Sequence, residues 1–379
     1  MSAGAGSSPR GLLTRVLLKG LLLFAAANLV WAALVPLGAQ SALGRISLYN
    51  RLFPGRQRFP FGENSEASYN LSLYNLDAMF ASHEISAPKP ADELRVVFIG
   101  DSSVWGTLLE NDQTLAGQVN ALGLACGGKR LRAYNLGYPT ISLAKDWMIL
   151  RRALAYNPDL IVWATTLEAF PFDRQLASPL AANNLAEFAH LAVALPPAED
   201  ESSAAPGFLR NTIIGQRRPL ADLLRLQAYG VMWAATGIDQ EIPASFTPAA
   251  VDLEADASYH GWLPEGGLPQ DKLAFDVLAA GMQLAAGAGV PVLLVNEPML
   301  ISAGQNSAVR YNFFYPRWAY DSWRSELNAR AQANGWPLLD LWDLLPASEY
   351  TNSAIHLTPR GEAALAARIA PVLAQMCAP

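Results

Sequence analysis

Short apolar runs alternate with amphipathic stretches from the second quarter of the chain onward, and this alternation limits the possible folds more than any other feature. Runs at 95–100, 131–137 and 159–166 have the length and apolar content of buried parallel strands. Stretches at 114–124 and 142–156 lie between them, and the second carries apolar residues at helical spacing. This β-α-β-α-β order predicts right-handed crossovers and a parallel sheet with helices on both faces.

The same pattern returns in the last third of the chain. Runs at 290–298 and 337–342 predict two further strands, and helical stretches at 271–289 and 318–334 alternate with them. We therefore expect one α/β domain over 93–379, built on a five-stranded parallel sheet and closed by a final helix.

Residues 171–270 interrupt the alternation with an Ala- and Pro-rich stretch that includes an acidic loop at 196–207. Ligands bind at the carboxyl ends of the strands in sheets of this kind, so an insertion at this point could cap a substrate site. A solvent-facing elaboration with no role in binding is the alternative interpretation.

The N-terminus has the features of a membrane anchor. Residues 20–39 are apolar apart from Asn28, and twenty such residues make a helix of about 30 Å, the hydrocarbon thickness of a bilayer. Residues 1–19 carry three basic side chains and no acidic one, which predicts a cytoplasmic N-terminus and a main domain outside the cytoplasm. Residues 40–92 then form a membrane-proximal segment and linker. A cleaved signal peptide is the alternative.

Composition argues against several other classes of protein. The net charge is −6 and no basic stripe is present, so we expect no nucleic-acid partner. There is no dinucleotide fingerprint, no Walker loop and no zinc spacing, so we expect no cofactor and no metal. The two cysteines, Cys126 and Cys377, could pair in an oxidising compartment, or stay as one buried thiol and one thiol near a loose C-terminus.

Ser102 is the candidate nucleophile. The first predicted strand runs into Gly100-Asp101-Ser102, which places the serine on a tight turn between a strand and a helix. Its Oγ would be exposed at the top of the sheet, where backbone N–H groups, including its own, and the helix N-terminus can receive an oxyanion. Nucleophilic serine hydrolases use the same placement, although the GxSxG elbow is absent.

His356 is the candidate base for Ser102. It follows the last predicted strand and precedes the last helix, which places it at the same edge of the sheet as the serine. A general base must lie within about 3 Å of the hydroxyl that it deprotonates. The other histidines, His83, His190 and His260, lie in the membrane-proximal segment or the insertion, where surface or packing roles are expected.

Three sequence blocks resemble those of the SGNH/GDSL hydrolases. GDSSVWG at 100–106 resembles the GDSxxxG first block, NLGYPTIS at 135–142 the second, and SAIHLTPRG at 353–361 the last. The resemblance implies a three-layer αβα sandwich and ester hydrolysis or acyl transfer through an acyl-serine. It also implies that His356 is the base and that Gly137 donates a backbone N–H to the oxyanion.

The chain departs from the family at the position of the catalytic acid. The family places an aspartate three residues before the histidine, where this chain has Ser353. A triad carboxylate orients the imidazole and stabilises its protonated form. Asp340, Asp343 and Glu349 lie close in sequence and are the candidate substitutes, and a Ser–His dyad without an acid is the alternative.

A second departure concerns the oxyanion hole. The family's third block supplies an asparagine after the third strand, whereas this chain reads ATTLEAF at 164–170. Thr166, in that segment, or Asn296, at the end of the fourth predicted strand, could replace it as the donor.

Three functions are compatible with these blocks. The chain could be a membrane-anchored serine esterase, or an O-acyltransferase or accessory protein that modifies a cell-surface polysaccharide beside a membrane-bound O-acyltransferase. It could also be an inactive module that binds or scaffolds. The segment 310–324, rich in aromatic residues and arginine, suits binding of a glycan or completion of the core.

Overall fold

The fold was analysed in a computed structural model. It describes residues 9–34, 48–53, 76, 80, 85, 87–182, 184–196, 207–237 and 245–377. Within these ranges the chain forms a mixed sheet with helices on both faces and one long apolar helix at the N-terminus. The predicted α/β class is confirmed.

The sheet has six strands rather than the five parallel strands predicted. In the order β2-β3-β1-β4-β5-β6, these are Ala125–Cys126, Lys129–Asn135, Glu93–Ile99, Leu160–Thr165, Val292–Asn296 and Leu338–Asp340. Neighbours pair in parallel except β2, which runs antiparallel to β3 at the edge. Gly127 and Gly128 form the turn between β2 and β3 with φ of 57° and 79°, a conformation that glycine adopts readily. A two-residue strand is too short to show periodicity in the sequence.

Helices that alternate with the strands cover both faces of the sheet. In chain order the α-helices of the described residues are α1 Pro9–Leu34, α2 Leu48–Leu52, α3 Ser102–Trp105, α4 Leu115–Ala121, α5 Leu143–Ala153, α6 Pro179–Ala182, α7 Arg217–Thr236, α8 Phe275–Gly287, α9 Arg317–Asn334 and α10 Pro359–Met376.

Alternate residues of the central strands pack into two separate cores. Val97 and Ile99 of β1 face a core shared with α5, α8 and α9, whereas Val96 and Phe98 face a core shared with α4 and α10. Trp163 of β4 belongs to the first core and fills the space beside Gly281 of α8, where a Cβ atom would lie 2.5 Å from the indole. This arrangement buries the central strands on both sides, as their apolar sequences require.

Cys126 and Cys377 form a disulfide that joins the edge strand β2 to the end of α10. The two residues are 251 positions apart in sequence, with Cα atoms 6.2 Å apart. Of the two alternatives left open by the sequence, the structure therefore has the paired one. The C-terminal helix is fixed to the sheet instead of ending in a loose tail.

The N-terminal apolar helix is a candidate membrane span or signal anchor. It starts at Pro9, well before the predicted boundary at residue 20, and ends at Leu34, while 35–39 lie outside the described residues. An 18-residue stretch within 11–34 has a mean hydropathy of 1.9, and most side chains of 11–34 are exposed. Most of the predicted membrane-proximal segment, 54–75 and its neighbours, also lies outside the described ranges.

The described parts of the predicted insertion contact different regions, and the first of them, 171–196, packs against α5. Near its end, the Ala249 N–H donates to Thr351 O at 2.9 Å and Tyr259 OH to Glu168 Oε2 at 3.1 Å, so this part lies against loops at the carboxyl edge of the sheet. Residues 207–237 contact the N-terminal helix instead. Most of the acidic loop lies outside the described residues. A cap over a bound substrate stays a prediction.

Candidate active site

The turn after β1 fixes the position of Ser102. Gly100 leaves no room for a side chain, since a Cβ atom there would lie 2.6 Å from Val104 Cγ2. Asp101 then caps α3, its Oδ1 accepting the Ser103 N–H at 2.8 Å. Ser102 is therefore the first residue of a short helix, half-buried, with its hydroxyl at the carboxyl edge of the sheet.

Ser102, His356 and Asn352 form a hydrogen-bonded chain. His356 Nε2 lies 2.8 Å from Ser102 Oγ, and His356 Nδ1 lies 2.9 Å from Asn352 Oδ1. An amide oxygen only accepts hydrogen bonds, so Nδ1 carries the proton and Nε2 presents its lone pair to the serine hydroxyl. This is the tautomer that a general base needs.

The loop that carries His356 folds back on itself, which is how Asn352 reaches the imidazole. The Thr351 N–H donates to His356 O at 2.9 Å, and Tyr350 and Leu357 form an antiparallel bridge beside it. The Thr351 hydroxyl also donates to Asn352 Oδ1 at 3.3 Å. The two ends of the loop are thus held together, and the side chain four residues before the histidine lies against Nδ1.

Electrostatics keep the imidazole neutral. Burial lowers the pKa of His356 below its ordinary value, because desolvation disfavours the charged form, and the nearby Asp101 carboxylate opposes this shift only partly. The histidine is therefore unprotonated and able to accept a proton at neutral pH.

None of the three predicted substitute acids occupies the position next to His356. Asp340 Oδ2 pairs with Arg324 Nε at 2.6 Å, and Glu349 accepts hydrogen bonds from Thr358 and Arg360. Asp343 is exposed and makes no hydrogen bond to His356 within the described part of the chain. The expectation of a carboxylate is corrected by Asn352, a residue that the family pattern did not indicate because it precedes the histidine by four positions rather than three.

Of the two backbone N–H groups predicted to bind the oxyanion, those of Ser102 and Gly137, the second already has a hydrogen-bond partner. Gly137 packs directly on the Ser102 helix, since a Cβ atom at this position would lie 2.4 Å from Trp105 N. Its N–H, however, donates to Asn135 Oδ1 at 3.0 Å, so an oxyanion would have to share or replace that bond. Within the described ranges the Ser102 N–H has no hydrogen-bond partner and is available to an oxyanion.

The two predicted substitute donors are engaged in buried networks. Thr166 Oγ1 lies 2.9 Å from Tyr315 OH, and Thr166 is fully buried. Asn296 is also fully buried, accepting from Tyr320 OH at 2.9 Å and donating to Asp340 Oδ1 at 2.8 Å. Both side chains have hydrogen-bond partners inside the fold, and a role in the oxyanion hole would break those bonds.

A buried lysine, Lys145, connects the two loops of the site. Its Nζ donates to Gly100 O at 2.8 Å and Tyr138 O at 2.9 Å, and pairs with Asp146 Oδ1 at 2.8 Å. Gly100 is two residues before Ser102, and Tyr138 follows Gly137, so the ammonium fixes the distance between both loops. The sequence showed this lysine only as one position of an amphipathic helix.

The aromatic and arginine-rich segment lies mostly in the core. Tyr315, Tyr320 and Trp323 are fully buried, and Arg310 donates to the backbone carbonyls of five residues, including Asp256 and Phe313. Of the two interpretations of this segment, glycan binding and completion of the core, these side chains fit the second. Among the described residues no group of three His, Cys, Asp or Glu side chains could hold a metal ion.

Comparison with known proteins gives structural matches of low similarity. No protein-family model and no curated protein matches the chain. A carbohydrate acetylesterase family member from Sinorhizobium meliloti is 14% identical, with 75% of this chain and 99% of that chain covered and a TM-score of 0.33. A GDSL-like lipase from Bacteroides thetaiotaomicron is 12% identical, with 76% and 92% covered and a TM-score of 0.37. An aryl esterase from M. smegmatis, in an inhibitor-bound form, is 13% identical, with 74% and 99% covered and a TM-score of 0.32.

Proposed function

We propose that this chain is a membrane-anchored serine esterase of the SGNH/GDSL type, in which Ser102, His356 and Asn352 form the catalytic triad. The observation that carries the proposal is the 2.8 Å contact between Ser102 Oγ and His356 Nε2. The imidazole is neutral, with its proton on Nδ1 and its lone pair on Nε2. Three sequence blocks at the carboxyl edge of the sheet support it.

The reaction proceeds in two half-reactions. His356 Nε2 takes the Ser102 proton while Oγ attacks the ester carbonyl, and the oxyanion of the tetrahedral intermediate accepts the Ser102 N–H. His356 then returns the proton to the leaving alkoxide, which leaves an acyl-serine. In the second half-reaction His356 deprotonates a water molecule, which attacks the acyl-serine, and the acid is released as the proton returns to Ser102.

Asn352 has a narrower role than a carboxylate would have. Its amide oxygen holds the Nδ1–H tautomer and the ring orientation, but it carries no charge to stabilise the imidazolium that forms during each step. We expect a slower enzyme than one with a Ser-His-Asp triad. A neutral triad member is workable, since Cys-His-Asn sites perform acyl transfer on other folds.

The location outside the cytoplasm is part of the proposal. A long apolar helix preceded by basic residues supports an anchor with the N-terminus inside. The Cys126–Cys377 disulfide supports an oxidising compartment for the main domain. A cell-surface glycan as substrate and a membrane-bound O-acyltransferase as partner stay predictions.

Labelling with a fluorophosphonate probe tests the activated serine. The full chain in detergent should be labelled, and Ser102→Ala and His356→Ala should each abolish labelling. Ser103→Ala is the matched control, because Ser103 is the adjacent serine but hydrogen-bonds Glu297 instead of a histidine. Equal labelling of wild type and Ser102→Ala, in protein shown to be folded, would refute the proposed nucleophile.

Hydrolysis and transfer are separated by the fate of the acyl group. With p-nitrophenyl acetate as donor, release of acetate at the same rate as nitrophenol indicates water as the acceptor. A soluble oligosaccharide is then added as a second acceptor. If less acetate than nitrophenol is released, and mass spectrometry finds a matching amount of acetylated sugar, the protein is an acyltransferase.

A further inference from the structure

Helix α7 presents an apolar face that the rest of the described chain leaves uncovered. Leu224 and Met232 have relative exposures of 71% and 58%, and Ala221, Ala228 and Ala235 are exposed on the same face at intervals of three or four residues. The turns that lead into the helix carry further exposed apolar side chains, Phe208, Leu209 and Ile214. Exposed apolar surface of this extent usually marks contact with a partner or a membrane.

The segment also contacts the N-terminal helix through specific hydrogen bonds. Asn28 Oδ1 accepts the Ile214 N–H at 3.1 Å, and Trp31 Nε1 donates to Gln216 Oε1 at 3.0 Å. Asn28 is buried by this contact, on a helix whose other side chains are mostly exposed. The only strongly polar side chain in the apolar run is therefore explained by the segment that packs against it.

The position of this contact along α1 sets its depth. Asn28 precedes the end of the helix, Leu34, by six residues, and at 1.5 Å per residue this is about 9 Å. If α1 spans the bilayer, Ile214 lies below the level at which the span ends. That depth equals the distance of about 5–10 Å to which amphipathic helices at a membrane surface bury their apolar faces.

The charge of the segment suits the same environment. Residues 207–237 contain four arginines and a single acidic residue, Asp222, in a chain whose net charge is −6. Basic residues beside an apolar face bind the phosphates of lipid headgroups while the apolar side chains enter the acyl region.

We propose that residues 207–237 form a second membrane element, in which α7 lies in the surface of the bilayer with Leu224 and Met232 among the acyl chains. The occupant of its apolar face is lipid. The proposal rests on the proposed membrane anchoring of α1, and it holds the domain to the bilayer at two places instead of one. Since the neighbouring part of the insertion contacts the sheet edge, the site would be held in a fixed orientation near the membrane surface.

Site-specific fluorescence in lipid nanodiscs tests this placement. Leu224→Cys and Met232→Cys in the full chain are labelled with an environment-sensitive nitrobenzoxadiazole dye, and the native disulfide is left intact. Leu122→Cys is the matched control, since Leu122 is an exposed leucine at the end of α4 on the sheet domain. Leu21→Cys, within α1, reports whether the anchor is inserted.

Nanodiscs of phosphatidylcholine and phosphatidylglycerol, with and without doxyl-labelled lipid, give the result. We expect at least a twofold doxyl-dependent loss of fluorescence at positions 224, 232 and 21, and none at 122. Quenching at 21 without quenching at 224 and 232 would overturn the proposal while leaving the anchor in place. A dye at 224 that is unquenched in nanodiscs and shielded only in native membranes would assign the face to a protein partner and likewise overturn it. Absence of quenching at 21 as well would refute both the anchor and the surface helix.

Discussion

Changing Asn352 to aspartate would test the proposed triad with a single charge. Asn352 Oδ1 lies 2.9 Å from His356 Nδ1, so the substitution would set a negative charge about 4 Å from the centre of the imidazolium ring. At that distance two unit charges interact by about 4 kcal/mol at an effective dielectric of 20, and by about 1 kcal/mol in water. Asn352 is exposed, so screening reduces the effect to about 1–2 kcal/mol, or roughly one pKa unit.

The direction in which the pKa of His356 changes depends on whether the new charge favours the protonated or the neutral ring. Burial lowers the pKa of His356 in the native chain, and a carboxylate beside Nδ1 would raise it again by stabilising the protonated ring. The catalytic base must be neutral, so the acidic limb of the pH profile should move upward by about one unit. Above that limb the same charge stabilises the imidazolium of the transition state, and kcat should rise by up to about tenfold.

The assay is kcat/KM for p-nitrophenyl acetate from acidic to mildly alkaline pH, compared with Asn352→Ala. The alanine variant loses only the acceptor for Nδ1–H and should be about tenfold slower, with no upward shift of the limb. Asn334→Asp controls for the change in net charge. Asn334 is exposed at the end of α9 and precedes β6, so it lies at the amino ends of the strands, away from the site at their carboxyl ends. An unchanged pH profile in Asn352→Asp, or full activity in folded Asn352→Ala, would show that Asn352 takes no part in catalysis.

Three further predictions concern the frame around the site. Gly137→Ala should reduce kcat at least a hundredfold with little change in KM, because its Cβ would meet backbone atoms of Trp105 at 2.4–2.9 Å and displace the Ser102 helix; an active variant would contradict this. Reduction of Cys126–Cys377 should lower the unfolding free energy by about 2–5 kcal/mol, measured as a drop in Tm that is absent in the Cys126→Ser variant. Burial raises the pKa of Glu362 to about 8, so the folded state favours its protonated form and stability should fall as pH rises from about 4.5 to 8. Urea unfolding at pH 5 and pH 9 should show a loss on the order of 4 kcal/mol that Glu362→Gln removes, and equal losses in both proteins would refute the assignment.

The parts of the fold that the sequence predicts are those that depend on local pattern. The five longer strands are found within a few residues of their predicted positions, because each contains a short apolar run that the sequence itself delimits. The sequence also predicts that Ser102 and His356 lie close together, since each follows a strand of the same parallel sheet. Topology alone places both at one edge.

The parts that the sequence does not predict depend on distant contacts or on the path of a loop. Asn352 reaches His356 because the backbone of Thr351 bonds that of His356, and spacing in the family pattern pointed to Ser353 instead. Cys126 and Cys377 are 251 positions apart, and their pairing depends on the packing of elements that are distant in sequence. Lys145 bonds Gly100, which is remote from it in sequence, as well as the nearby Tyr138, and no local motif marks such a residue.

The disulfide gives the molecule a covalent topology that differs from its linear order. Cys126 and Cys377 close a ring that contains His356 and Asn352, while Ser102 and the apolar N-terminal helix lie on the tail outside it. A protease that cuts between Cys126 and Asn352 would separate nucleophile and base into two polypeptides that the disulfide keeps linked. After a cut beyond residue 237, the C-terminal piece, which has no apolar span of its own among the described residues, would stay bonded to the piece with the N-terminal apolar helix until a reductant cleaved the disulfide.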